Sequence, residues 1–115
     1  MNHETEIIFK QRDDIAIFDV KGDVTALSEP FFAEAYQTAN KHAARKILIK
    51  FSEDAYINSG GIAILIQLLA QTRRNGQQIC ITGLSNHFKK IFNMVGITKF
   101  ARIYDSAEDA VKDMS

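Results

Sequence analysis

The feature that most constrains this chain is a change of apolar period between Lys46 and Arg74. Ile47, Leu48 and Ile49 make the run from Lys46 to Phe51 nearly continuous in apolar side chains. Such a run suits a strand covered on at least one full face by helices. From Gly61 to about Arg74, Ile62, Leu65, Ile66 and Leu69 follow the i, i+3, i+4, i+7 spacing of a helix with a buried face. Asn75-Gly76 supplies a C-terminal stop. Gln78 to Thr82 is then another strand. Strand, helix and strand in this order form the unit of a parallel sheet.

The same alternation runs through the rest of the chain. Thr5 to Lys10 and Ile15 to Val20 are two strand-like runs, with Asp13-Asp14 supplying turn chemistry between them. They read as a β-hairpin. Gly22-Asp23 ends it. Ser28-Glu29-Pro30 reads as a helix start, with Ser28 as N-cap and Pro30 in the first turn. That helix runs to about Lys41 and buries Phe31 or Phe32, Ala35 and Ala39. Ser85 caps a third helix, in which Phe88, Ile91, Phe92 and Val95 repeat the core spacing before Gly96 ends it. Arg102 to Tyr104 is a short strand, and Ser106 with Asp109 resembles a capping box for a last helix. The order β-β-α-β-α-β-α-β-α predicts an α/β fold. Its sheet is mixed and mostly parallel, with about five strands, an N-terminal hairpin, about four helices and right-handed crossovers. Residues 1–115 fit one domain.

Composition narrows the function classes. Fourteen basic residues balance fourteen acidic ones, so nothing pulls the chain as a whole toward nucleic acid or an anionic membrane. Arg73-Arg74 and Lys89-Lys90 are too short for a basic tract. The single cysteine, Cys80, lies in an apolar run and reads as a buried small hydrophobe. Glu4 and Glu6 near the start, without an apolar stretch, predict no signal peptide. Ile62 to Ile66 is too short to span a bilayer. A cytoplasmic protein without direct membrane insertion is expected. His3, in an expected frayed end, His42 and His87 have no metal-ligand spacing to each other or to Cys80, so no metal is predicted. No phosphate-binding loop or dinucleotide fingerprint is present, so no cofactor and no enzymatic activity are expected.

The junction Tyr56-Ile57-Asn58-Ser59-Gly60-Gly61 is the candidate functional site. A helix N-terminus favours anions and phosphoryl groups through its free N–H groups and dipole. Ser59 has two readings. As an N-cap its hydroxyl accepts from a free backbone N–H, a contribution of about 1 kcal/mol, and Asn58 is the alternative cap. As a phosphoacceptor it would add bulk and charge to the surface. Spacing favours the cap, because nearly every helix needs one. With Ile62 at the centre of the buried face, steps of about 100° place Ile64 nearly opposite, with Gln67 and Gln71 on that outer side and Leu68 flanking it. An outward Ile among uncharged polar residues suits a protein-binding face. A neighbouring helix covering Ile64 is the competing reading.

With Asn58-Ser59-Gly60-Gly61-Ile62-Ala63-Ile64-Leu65 at the third-strand-to-second-helix junction, the chain resembles the STAS domain family. Gly22-Asp23-Val24 before the first helix, Ile79-Cys80-Ile81-Thr82-Gly83-Leu84, and Phe92-Asn93-Met94-Val95-Gly96-Ile97 extend the resemblance over nearly the whole chain. The family includes bacterial anti-sigma factor antagonists and cytoplasmic domains of sulfate transporters. The resemblance implies partner switching, in which the antagonist binds a kinase-like anti-sigma factor and is released when that kinase phosphorylates the second hydroxyl of an Asp-Ser-Ser/Thr-Gly motif. Aligned on Gly61, that acceptor position is Gly60, which has no hydroxyl, and the family Asp is Asn58. Ser59 is then a phosphoacceptor only if the site has shifted by one residue.

The leading expectation is an anti-sigma factor antagonist-like binding module that lacks the usual switch. Its contact surface would be Asn58, Ser59, Gly60, Gly61, Ile64, Gln67 and Leu68. Gly60→Asp would then mimic the phosphorylated state. The alternative is a STAS subunit of a lipid- or anion-handling ABC transport complex, bound constitutively to its ATPase. A third class is a nucleotide or anion sensor that uses the helix N-terminus.

Overall fold

The computed structural model describes residues 4–115, so the frayed end expected at His3 lies outside the described residues. Strands β1 (Glu6–Arg12) and β2 (Ile15–Lys21) form the hairpin, and Asp13 turns it with a φ of 55°. Asp tolerates that left-handed conformation better than most residues because its short side chain bonds locally. The chain continues through a 3-10 turn (Ala26–Ser28), α1 (Glu29–Lys41), β3 (Lys46–Phe51), α2 (Ser59–Arg74), β4 (Gln78–Thr82), α3 (Asn86–Met94), β5 (Arg102–Tyr104) and α4 (Ala107–Met114). The sheet order is β1-β2-β3-β4-β5, antiparallel between β1 and β2 and parallel elsewhere. This is the mixed five-stranded α/β fold that the alternation predicts.

Three crossovers of one hand, all stepping the same way across a sheet, must place their helices on one face. Accordingly Ala16, Phe18, Val20, Ile47, Ile49, Phe51, Ile79 and Ile81 pack with Phe32, Ala35 and Ala39 of α1, Leu65, Leu68 and Leu69 of α2, and Phe88 and Phe92 of α3. The alternate residues Ile15, Leu48 and Cys80 face the other way and meet Ala110 and Met114 of α4. Cys80 is buried as expected, and that burial pushes its thiol above the ordinary range.

Three local expectations are corrected and one left open is resolved. Ser28 stands at the N-cap position of α1, but its side chain makes no capping bond there. The chain enters the helix one turn earlier, through the 3-10 turn, so Ser28 is already helical at φ −80° and ψ −10°. Its buried hydroxyl accepts from the Thr25 N–H instead, while Thr25 caps the turn through the Leu27 N–H. Of the two candidate phenylalanines, Phe32 is buried and Phe31 is exposed. Val95 does not join the core. α3 stops at Met94, Val95 becomes its exposed C-cap, and Ile97 fills the core place after Gly96 turns the chain left-handed. On α2, Ile66 is 40% exposed rather than buried, for a reason set by the junction described below.

The ends of α1 and α2 share one geometry. In α2 the N–H of Gln77 bonds the Thr72 carbonyl and that of Gly76 bonds the Arg73 carbonyl. In α1 the N–H of Ala44 bonds the Ala39 carbonyl and that of Ala43 bonds the Asn40 carbonyl. Both are Schellman endings with a left-handed residue just past the cap. Gly76 takes that position in α2 at φ 66°, whereas in α1 it falls to Ala43 at φ 55°. A Cβ in this conformation crowds the following carbonyl, at a cost of about 1 kcal/mol. Ala43→Gly is therefore expected to raise stability by about 1 kcal/mol, read as a higher urea midpoint at unchanged m-value.

Candidate functional site

Two loops at the C-terminal ends of β2 and β3 build the junction. The N–H of Val24 bonds the Tyr56 carbonyl at 2.8 Å, and the N–H of Asn58 bonds the Val24 carbonyl at 3.1 Å. Val24 and Ile57 thereby form an isolated parallel bridge beyond the ends of the strands. α2 starts directly after it. Its N-cap is Asn58, whose Oδ1 accepts from the Gly61 N–H at 2.9 Å. The expectation of a Ser59 cap is corrected: Ser59 is the first residue of the helix and is exposed. Asn58 takes the role because it is the last residue with extended backbone, φ −90° and ψ −178°, and only from there does a side chain reach back to the third N–H.

Both glycines are required by close packing. A Cβ on Gly61 would lie 2.2 Å from the Val24 carbonyl oxygen, so the helix can approach the Val24 loop only with glycine there. A Cβ on Gly60 would lie 2.9 Å from the Ala26 backbone nitrogen. Any side chain at Gly60 must therefore push the 3-10 turn aside, and Gly60→Asp tests packing as much as charge.

The Gly61 contact also fixes the rotation of α2. Gly61, Ile64, Leu65, Leu68, Leu69 and Thr72 face inward. This face is turned about 100° from one centred on Ile62, since successive residues differ by that angle. Ile64 and Leu68 are accordingly buried, at 8% and 4% exposure, and not outward-facing. They line a groove of about 340 Å³ between α1 and α2, together with Phe32, Tyr36 and the exposed Gln67. The covering-helix reading of Ile64 is the correct one.

The outward surface around the junction is instead Ser59, Ala63 and Ile66 of α2, with Tyr56 at 57% and Leu27 at 84% exposure beside them. Leu27 escaped the sequence reading. Only the 3-10 turn, lodged against Gly60, brings it to this surface. Tyr56 is steadied by an edge contact with Phe88 of α3, with ring centroids 6.3 Å apart. α2 has no acidic side chain in its first turn, and the N–H groups of Ser59 and Gly60 have no acceptor within the helix. The junction therefore presents an uncompensated positive helix end, rimmed by apolar side chains.

The ionisable groups with shifted pKa values lie away from the junction. Hydrogen bonds from Tyr104, then Arg102, hold the Asp113 carboxyl below the usual range, and Lys89 does the same for Asp105. Among the described residues, no group of three or more His, Cys, Asp or Glu is placed to hold a metal ion. No helix among them is long and apolar enough to cross a membrane.

Comparison with known proteins agrees with this architecture. The STAS domain family matches residues 6–110, and the chain belongs to that family. It is 25% identical over 103 residues to the anti-sigma-B factor antagonist of Listeria monocytogenes, and equally to that of Listeria innocua, covering 90% of this chain and 90% of each relative. Its fold matches the crystal structure of an anti-sigma factor antagonist from Mycobacterium paratuberculosis with a TM-score of 0.77, at 16% identity over 96% of this chain and 93% of that one. It also matches the phosphorylated Bacillus cell fate determinant SpoIIAA with a TM-score of 0.69, at 11% identity over 96% of this chain and all of that one.

The amide of Asn58 and the hydroxyl of Ser59 at the helix start are expected to contribute differently to stability. Asn58→Ala is expected to cost about 1 kcal/mol, the worth of a lost cap. Ser59→Ala is expected to stay within about 0.5 kcal/mol of wild type, because that side chain is exposed and caps nothing. Urea unfolding of both variants measures the difference.

Proposed function

We propose that this protein is an anti-sigma factor antagonist that acts in the cytoplasm by binding a kinase-like anti-sigma factor, without catalysis of its own. The observation that carries the reading is the exposed, uncharged surface around the α2 N-terminus: Leu27, Tyr56, Ser59, Ala63 and Ile66. Asn58, Gly60 and Gly61 shape this surface. Gln67 borders it, whereas Ile64 and Leu68 support it from beneath. The antagonists among its relatives support the assignment of partner class.

The same geometry supports a modified form of control. The family's acceptor position is Gly60, closed against Ala26 and without a hydroxyl. Ser59 is the aliphatic hydroxyl that remains, exposed beside unpaired helix N–H groups. A phosphoryl group on Ser59 would be favoured by the helix end and would place charge in the middle of the apolar surface. In its absence the module binds its partner constitutively. Constitutive binding also suits a STAS subunit of an ABC transport complex, and co-purification with a transport ATPase rather than an anti-sigma factor distinguishes the two.

Calorimetric titration with the kinase-like anti-sigma factor of the same organism tests the reading. Ser59→Glu and Leu27→Asp are each expected to weaken binding at least about tenfold, the cost of an unpaired charge within an apolar contact. Ser59→Ala is expected to bind like wild type. Unchanged affinity in both charged variants would sink the proposed surface, and no binding by wild type would sink the proposed partner class.

A further inference from the structure

β1 is an edge strand: β2 pairs with it on one side, and among the described residues no strand pairs with it on the other. It is seven residues long and contains no proline. Open edges of this length are templates for pairing with another chain. The opposite edge, β5, has only three residues.

The side chains of β1 form two rows. Ile7, Phe9 and Gln11 stand opposite Val20, Phe18 and Ala16 of β2 and so share the face covered by α1. Glu6, Ile8, Lys10 and Arg12 form the other row, beside the half of the sheet that α4 leaves open. All four are exposed, Ile8 at 37%.

This outer row is complementary to itself. Let two copies of β1 run antiparallel about a two-fold axis at Ile8. Glu6 then stands opposite Lys10 of the second copy, Glu4 opposite its Arg12, and Ile8 opposite its Ile8. On the other face Ile7 meets Phe9, and Thr5 meets Gln11. Opposite charges and apolar pairs placed directly across an antiparallel ladder are the stabilising combinations. Moving the axis by one residue weakens the match. An axis at Phe9 keeps Glu6 against Arg12 but sets Ile8 against Lys10, and an axis at Ile7 keeps Glu4 against Lys10 but sets Glu6 against Ile8.

We propose that this protein forms a two-fold dimer by antiparallel pairing of β1 with β1 of a second copy, joining two five-stranded sheets into one. The strand is already ordered for this. Thr5 at its start bonds the Asp23 carbonyl and the Ser28 hydroxyl. Phe9 stacks on His42 at the end of α1, with ring centroids 5.5 Å apart. Lys10 is free to turn to a new partner, since its pairing with Asp19 is long, at 3.6 Å, and its side chain is 58% exposed. Phe31, 43% exposed, lies on the same flank of α1 as His42, because eleven helical steps bring a residue back to within about 20°. It adds an apolar side chain beside the seam. The junction at Asn58 lies at the C-terminal ends of β2 and β3, not on β1.

Sedimentation velocity from micromolar to millimolar concentration tests the dimer. Wild type is expected to associate, and added salt is expected to weaken the association. Glu6→Lys alone and Lys10→Glu alone each set like charges opposite one another twice per dimer, and each is expected to weaken association about tenfold. Mixing the two single variants is expected to restore it, because each copy supplies the charge the other lacks. Circular dichroism confirms that both variants fold. A wild type that stays monomeric throughout overturns the proposal. So does a dimer that neither single variant weakens, or a mixture that associates no better than either variant alone.

Discussion

Much of this structure depends on one contact, the approach of the α2 backbone to the Val24 carbonyl at Gly61. A methyl group there would sit 2.2 Å from that oxygen. Because nothing fills the space, the first turn of α2 lies directly on the Val24–Ile57 bridge. The helix is thereby fixed in position and in rotation about its axis. Leu65, Leu68, Leu69 and Thr72 are turned to the sheet, and Ile64 is turned under α1. The same constraint lifts Ile66 and Ala63 outward. Surface and core are thus two consequences of one backbone contact.

A second close approach extends the first. Gly60 lets the 3-10 turn lodge against the start of α2, and this turn carries Leu27 out into solvent. The turn is itself anchored by buried hydroxyls: Ser28 bonds the Thr25 N–H, and Thr5 bonds Ser28 across from the start of β1. Buried polar groups of this kind must be paired, and here the pairing ties the edge strand to the junction. At the other end of the same helices, Asn75 donates to the Tyr36 hydroxyl at 2.6 Å, and that hydroxyl donates to Gln77 Oε1 at 2.7 Å. The α1–α2 pair is therefore fastened at both ends, with a groove between them.

Strand and helix order was legible because the apolar period changes sharply from one element to the next. Ile47-Leu48-Ile49, the Asn75-Gly76 stop and the Ser85 cap each give a local signal strong enough to stand alone. Where two residues compete for one local role, the sequence was ambiguous. Asn58 and Ser59 both make good caps, and backbone conformation selected Asn58. Phe31 and Phe32 both fit a buried stripe, and the angle at which α1 meets the sheet selected Phe32. α1 carries no glycine stop at all. It ends at the same geometry as α2 with Ala43 in the left-handed position, which a reading based on glycine does not detect.

The sequence by itself determined the class of fold, the order of its elements and the location of the junction, because these follow from periodicity and turn chemistry over short distances. It also determined that Gly60 cannot carry a phosphoryl group. Only the tertiary structure decided how the junction faces the solvent. An amphipathic helix with Ile, Leu and Ala on several sides can bury any of several stripes, and local pattern does not choose among them. The choice was made by a contact between residues far apart in sequence, Gly61 and Val24, together with the coverage of Ile64 by α1. That contact turned Ile64 and Leu68 inward, and the neighbouring approach of the 3-10 turn to Gly60 left Leu27 exposed.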